Sequence, residues 1–161
     1  MRRFQFEDAS IDGNEEYDIS GKEYITLIST CLQYSRYMSF RISSVDTNIP
    51  VRMLQHKVET SQEIMKVYSH YGNNVGKILT LIVYNELIED MLQVSTSVFG
   101  WINGWNLVRP EDFAFYREDY SVFFYSRIHE GYCYLFARED ENVDNVIKGH
   151  GWSFLQSDTL I

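Results

Sequence analysis

Hydrophobic and polar positions alternate most regularly in the C-terminal half of the chain. Over 120–128 one row is Tyr120, Val122, Phe124, Ser126 and Ile128, and the other is Ser121, Phe123, Tyr125 and Arg127. Over 132–137 the rows are Tyr132, Tyr134, Phe136 and Cys133, Leu135, Ala137. A period of two with aromatic and β-branched residues predicts strands, because successive side chains then point to opposite faces of a pleated sheet. Strands over 113–116, 120–128 and 132–137 form an antiparallel meander. They are joined by Arg117-Glu118-Asp119 and by His129-Glu130-Gly131, where Gly131 can take a positive φ. Both rows are apolar, so this sheet is either covered on both faces or offers one face to a partner.

The N-terminal half follows a helical period. Phe4-Gln5-Phe6 suits a short strand, and the acid- and glycine-containing run 7–18 reads as a loop. Ser20-Gly21-Lys22-Glu23 matches a capping box and opens a helix over 21–34, with Tyr24, Leu27, Ile28, Cys31 and Leu32 on one stripe. Met38, Phe40 and Ile42 alternate with Ser39, Arg41 and Ser43, leaving 36–43 open between a strand and a continued helix. Pro50 opens a second helix that Gly72 ends, striped by Val51, Leu54, Val58, Ser61 and Met65. A third helix over 75–93 is apolar nearly all round from Ile78 to Ile88 and therefore reads as a buried central helix. Residues 94–105 stay open, since Asn103-Gly104 suits a hairpin turn or a helix C-terminus. A short helix over 139–148, closed by Gly149, and a strand over 152–155 complete the chain. The expected fold is α+β, one domain over 1–161, with N-terminal helices packed on a C-terminal antiparallel β-meander.

Charge narrows the partners. The net charge of −9 is carried by the two ends: residues 1–23 hold seven acids against three bases, and 110–146 hold nine against three. Residues 24–109 hold six against seven. Acidic ends repel phosphate backbones and anionic membranes and attract a basic protein. The expected partners thus exclude direct nucleic acid and membrane, and include self-association. Two cysteines without a signal-like N-terminus suggest a reduced, cytoplasmic protein, and the longest apolar run, 78–84, is too short to span a bilayer.

Candidate chemistry is sparse. Cys133 with His129 or His150 would make a thiolate–imidazole pair for a small hydrolase, but Cys133 lies in an apolar strand row that suits a core thiol. His129, Glu130 and His150 lack metal-ligand spacing, and His56 and His70 are too far apart on one predicted helix to act together. No phosphate loop or nucleophile elbow is present, and no cofactor or metal is expected. Glu111-Asp112 follow Pro110 as adjacent acids that point apart, opening an edge strand or turn. Twelve tyrosines and three tryptophans point instead to an interface, because these side chains give rigid contact area. The expected partner-binding residues are Glu118, Asp119 and Tyr120 at one end of the meander and Glu130 and Tyr132 at the other.

The pattern Trp105, Leu107, Pro110, Glu111, Asp112, Phe113, Phe115, Tyr116, followed by Ser126, Ile128, His129 and Glu130, resembles a group of small bacterial immunity proteins. These neutralise polymorphic or contact-dependent toxins encoded beside them. The resemblance covers less than a fifth of the chain. It implies a non-enzymatic inhibitor that binds one cognate toxin and blocks its active site. Many such toxins are nucleases with basic clefts, which an acidic inhibitor would complement.

Overall fold

The computed structural model describes residues 1–7, 18–42, 48–59, 63–64, 76–102 and 109–156. Its strands are β1 (Arg2–Glu7), β2 (Tyr37–Ile42), β3 (Lys57–Val58), β4 (Lys77–Ile82), β5 (Glu111–Tyr116), β6 (Val122–Arg127), β7 (Tyr132–Ala137) and β8 (Trp152–Leu155). All eight join one antiparallel sheet in the order β3-β4-β2-β5-β6-β7-β1-β8. Helices α1 (Gly21–Tyr34), α2 (Val51–Gln55), α3 (Leu87–Val94) and α4 (Asp144–Ile147) complete the described elements, with a 3-10 turn over Ile128–Glu130. Among the described residues no helix is long and apolar enough to cross a membrane.

Register assigns the two faces. Phe4 and Phe6 of β1 stand opposite Leu135 and Cys133 of β7, and Leu135 stands opposite Phe124 of β6. These residues are buried in one core with Phe113 and Phe115 of β5, Met38 and Phe40 of β2, and Leu79 and Leu81 of β4. Tyr24, Leu27, Ile28 and Cys31 of α1 and Leu87 and Met91 of α3 close over them. Each large side chain sealed this way contributes roughly 1.5–3 kcal/mol. The Trp101 indole N–H, buried beside Phe113, donates to the Tyr24 hydroxyl at 3.0 Å. On the opposite, outer face, Ile78, Ala114 and Tyr116 are buried with Ile64, and the Ser39 hydroxyl donates to the Tyr116 hydroxyl at 3.1 Å.

The α+β class holds, but helices and strands are not segregated along the chain. β1 lies at the N-terminus yet sits between β7 and β8, and β2 and β4 extend the sheet past the meander. The stretch 77–82 is a strand, not the start of a central helix. It lies between β3 and β2 with Leu79 and Leu81 on the helix side and Ile78 and Thr80 on the other, all buried. A short strand covered on both faces has the same apolar run as a buried helix. The true helix, α3, begins only at Leu87. The second predicted helix stops at Gln55, after which the chain enters β3. Glu63 and Ile64 are helical again, and the rest of its predicted extent, with Gly72 and His70, lies outside the described residues. Residues 37–42 resolve as strand, and 94–102 contain an isolated bridge between Ser97 and Ser20. Asn103-Gly104 lies outside the described residues.

The capping box does not form. Ser20 is extended, at φ −135° and ψ 172°, as an N-cap residue normally is, but its side chain makes no capping bond; its backbone also bridges to Ser97. Glu23 instead accepts the His150 backbone N–H at 3.5 Å. Strands β7 and β8, helix α1 and the left-handed Gly131 at φ +74° match expectation.

Candidate partner-binding site

The five expected binding residues fall at opposite ends of β6 and β7. Six residues at about 3.3 Å each separate those ends by roughly 20 Å.

At the first end the chain turns through 117–121 above a buried ion pair. The Arg117 guanidinium donates to both Glu141 carboxylate oxygens, at 2.6 and 2.5 Å. It also donates to the Val122 and Phe136 carbonyls, at 2.8 and 2.7 Å. Burial opposes ionisation of Glu141, but Arg117 and the Arg138 N–H carry its carboxyl below the usual range. Arg117 and Glu141 therefore fill each other's bonding capacity inside, and the turn's remaining acids stay outside. Asp119 accepts the Ser121 hydroxyl at 2.6 Å and its N–H at 3.0 Å, and pairs with Arg138. Those Ser121 bonds, with Arg138, hold the Asp119 carboxyl well below its ordinary value. Glu118, Glu139 and Asp140 are exposed nearby in sequence and register.

Tyr120 adopts φ +63°, a region that bulky L-residues rarely occupy. Its ring stacks on Tyr37 of β2 at 4.9 Å and 11° and remains 38% exposed. The hydrogen bond to Tyr120 pushes the Tyr37 hydroxyl up. The turn thus presents a fixed aromatic pair beside exposed carboxylates.

The second end has the opposite arrangement. Glu111 and Asp112, expected at an edge, begin β5 in the interior of the sheet, between β2 and β6, and both are buried. Glu111 pairs with Arg41 of β2 and takes the His129 Nε2 at 2.9 Å. Asp112, at φ +52°, accepts the Ile128 N–H at 2.7 Å. Glu130 is held by the Tyr132 hydroxyl and by Arg127 at 3.4 Å. Burial and the bond to Glu130 push the Tyr132 hydroxyl up to about 12.

Between the two ends the outer face carries a run of rings. Tyr125 lies 5.1 Å from Tyr134 and 5.9 Å from Phe136, and Tyr134 lies 5.2 Å from Tyr132. Arg127 caps Tyr125 and Arg3 caps Phe136, at 5.7 and 6.0 Å. Tyr125, Tyr132 and Phe136 are half-buried, unlike the sealed rings on the helix side.

The nucleophile candidates are not assembled. Cys133 and Cys31 are free and buried in the helix-side core, and burial pushes both thiols up, away from the thiolate. His129 is engaged with Glu111, and His150 is exposed on the loop before β8. His56 stacks on Tyr84 at 3.8 Å. Among the described residues no group of three His, Cys, Asp or Glu side chains could hold a metal ion. No protein-family model, curated protein or solved structure matches this chain.

Sequence reasoning missed Tyr37, Arg41, Arg117 and Glu141. Each meets its partner across a distant register, and an isolated charged or aromatic residue gives no sign of that. Asp112 left a faint signal, since Asp tolerates left-handed backbone better than most residues.

Proposed function

We propose that this protein is a non-enzymatic binding protein of the immunity type, which docks and neutralises a basic toxin through the 117–121 end of its sheet. The observation that carries this reading is the Tyr37–Tyr120 stack, exposed beside Glu118 and Asp119 and continuous with the half-buried rings of the outer face. Flat, preset aromatic area supplies contact energy, and surrounding carboxylates accelerate the encounter with a cationic surface. A nuclease with a basic cleft fits that chemistry. Glu130 and Tyr132 bond to each other at the far end and serve there as a rim rather than as the centre.

The test is a parallel capture from the source cells with immobilised wild-type protein and with a Glu118→Lys/Asp119→Lys/Tyr120→Ala variant. The expected result is one basic protein retained by the wild type and lost by the variant, whose toxic activity the wild type suppresses. Equal retention by both, or retention without suppression, would contradict the proposal.

A further inference from the structure

The sheet ends at β8, which hydrogen-bonds to β1 on one side only. Among the described residues no backbone group takes up its outer edge. Proteins normally blunt such edges with charge, proline, a bulge or brevity, because an open row of N–H and C=O groups is a template for another strand. The opposite edge follows this rule: β3 is two residues long and begins with Lys57. β8 does not. Trp152-Ser153-Phe154-Leu155 carries no charge and no proline. Phe154 packs edge-on against Phe4 at 5.5 Å yet is 58% exposed.

We propose that two copies of this chain pair through β8, continuing the sheet antiparallel across a two-fold axis. Charge selects a second copy as the occupant. On a chain of net −9, residues 145–156 contain no acid and carry Lys148 and His150. A like-charged copy therefore meets less repulsion along β8 than at the acid-rich stretches of the chain, and a basic partner is drawn more strongly to those stretches. Symmetry agrees, since an antiparallel edge is complementary to itself and the pairing closes as a dimer. Head-to-tail addition of β8 to the two-residue β3 has almost no ladder to form. Alternation of faces allows only registers centred on a residue that meets its own counterpart, and the proposed one is centred on Ser153. Residues opposite each other must share a face, and setting Ser153 against its own counterpart places Trp152 of each copy opposite Phe154 of the other. Such cross-strand pairs lie about 5 Å apart at Cβ, close enough for the exposed Phe154 ring to be covered by the half-buried Trp152 of the other copy. This edge is separate from the 117–121 turn, so the dimer does not depend on the proposed function.

Sedimentation velocity tests this from low micromolar to about 0.5 mM protein, a range that reaches weak interfaces. The wild type is expected to pass reversibly from monomer to dimer. Phe154→Glu should weaken the dimer at least about tenfold while leaving the circular dichroism spectrum unchanged, with the melting temperature lowered only slightly by the lost contact with Phe4. A monomer at every concentration, or a dimer that a folded Phe154→Glu leaves intact, would overturn the proposal. If Phe154→Glu does not fold, Ser153→Cys decides. Oxidation should link it into a disulfide dimer across the axis, and failure to cross-link overturns the proposal equally.

Discussion

The two ends of the meander handle the same residue types in opposite ways. At the 117–121 end a cation is taken inside: Arg117 is buried with Glu141, and Glu118, Asp119, Glu139 and Asp140 remain at the surface. At the 128–131 end the acids are taken inside: Glu111 and Asp112 are buried against Arg41 and His129, while Glu130 is tied to Tyr132 and Arg127. Both ends are acidic by count, but the first exposes more of its acids: Glu118, Asp119, Glu139 and Asp140 lie at the surface there, against Glu130 and the neighbouring Glu7 at the second. Charge counted along a chain overstates the charge a partner meets, because buried carboxylates are already paired.

The largest effect that separates the ends concerns their buried charges. Glu141→Ala leaves the Arg117 guanidinium buried without its carboxylate, a loss of about 3–5 kcal/mol for a broken internal pair. Chemical denaturation should show it, and a loss below about 1 kcal/mol would mean that water reaches Arg117. The same pair predicts a pH dependence. The folded Glu141 carboxyl is depressed, so its contribution is fully present above the unfolded value, about 4.3. It disappears as pH falls through the lower folded value, and Glu141→Gln should flatten stability across that acid range.

At the other end, Asp112→Ala removes the acceptor for the buried Ile128 N–H and puts a less tolerant residue at φ +52°. A loss of about 1–3 kcal/mol is expected for the unsatisfied donor. Asp112→Asn keeps an acceptor oxygen and tolerates left-handed backbone, so it should lose less. Equal losses for Ala and Asn would show that the charge beside Arg41, not the Ile128 bond, is what matters.

A smaller stability effect is expected at Tyr120. Tyr120→Gly relieves the positive φ, worth about 1–2 kcal/mol, but loses the stack on Tyr37, worth about 0.5–1.5 kcal/mol. The two nearly cancel, so the melting temperature should barely move while the partner dissociates faster. A large destabilisation would make the ring a structural prop rather than a contact.

Local pattern carried much of this fold. Alternation located β6 and β7, helical stripes located α1, and the rows of Met38, Phe40 and Ile42 left 36–43 open until the register with β4 and β5 made it a strand. What stayed hidden was long-range pairing. Ile78 to Ile82 is apolar on both rows because neighbours cover both faces, and nothing local tells such a strand from a helix. Ser20 has the residue type and the extended backbone of a cap, yet its hydroxyl makes no capping bond, and its bridge to Ser97, distant in sequence, leaves no local sign. The candidate site was half visible in the same way. Glu118 was legible as a turn residue, but Tyr120, expected to open the strand over 120–128, lies in the turn before β6, and Tyr37, which fixes it, arrives from a strand on the far side of β5. Glu111 and Asp112 looked like surface acids because the strand they open looked like an edge.

The contrast between the ends is tested most directly by association rates with the captured basic partner across salt concentrations. Glu118→Lys/Asp119→Lys is compared with Glu130→Lys. Exposed charges act mainly through the encounter rate and are screened by salt. The double reversal at the 117–121 end should slow association about tenfold at low salt and flatten its salt dependence, while Glu130→Lys changes the rate less than about twofold. Equal slowing by both, or rates indifferent to salt and to charge reversal, would contradict docking at the 117–121 end.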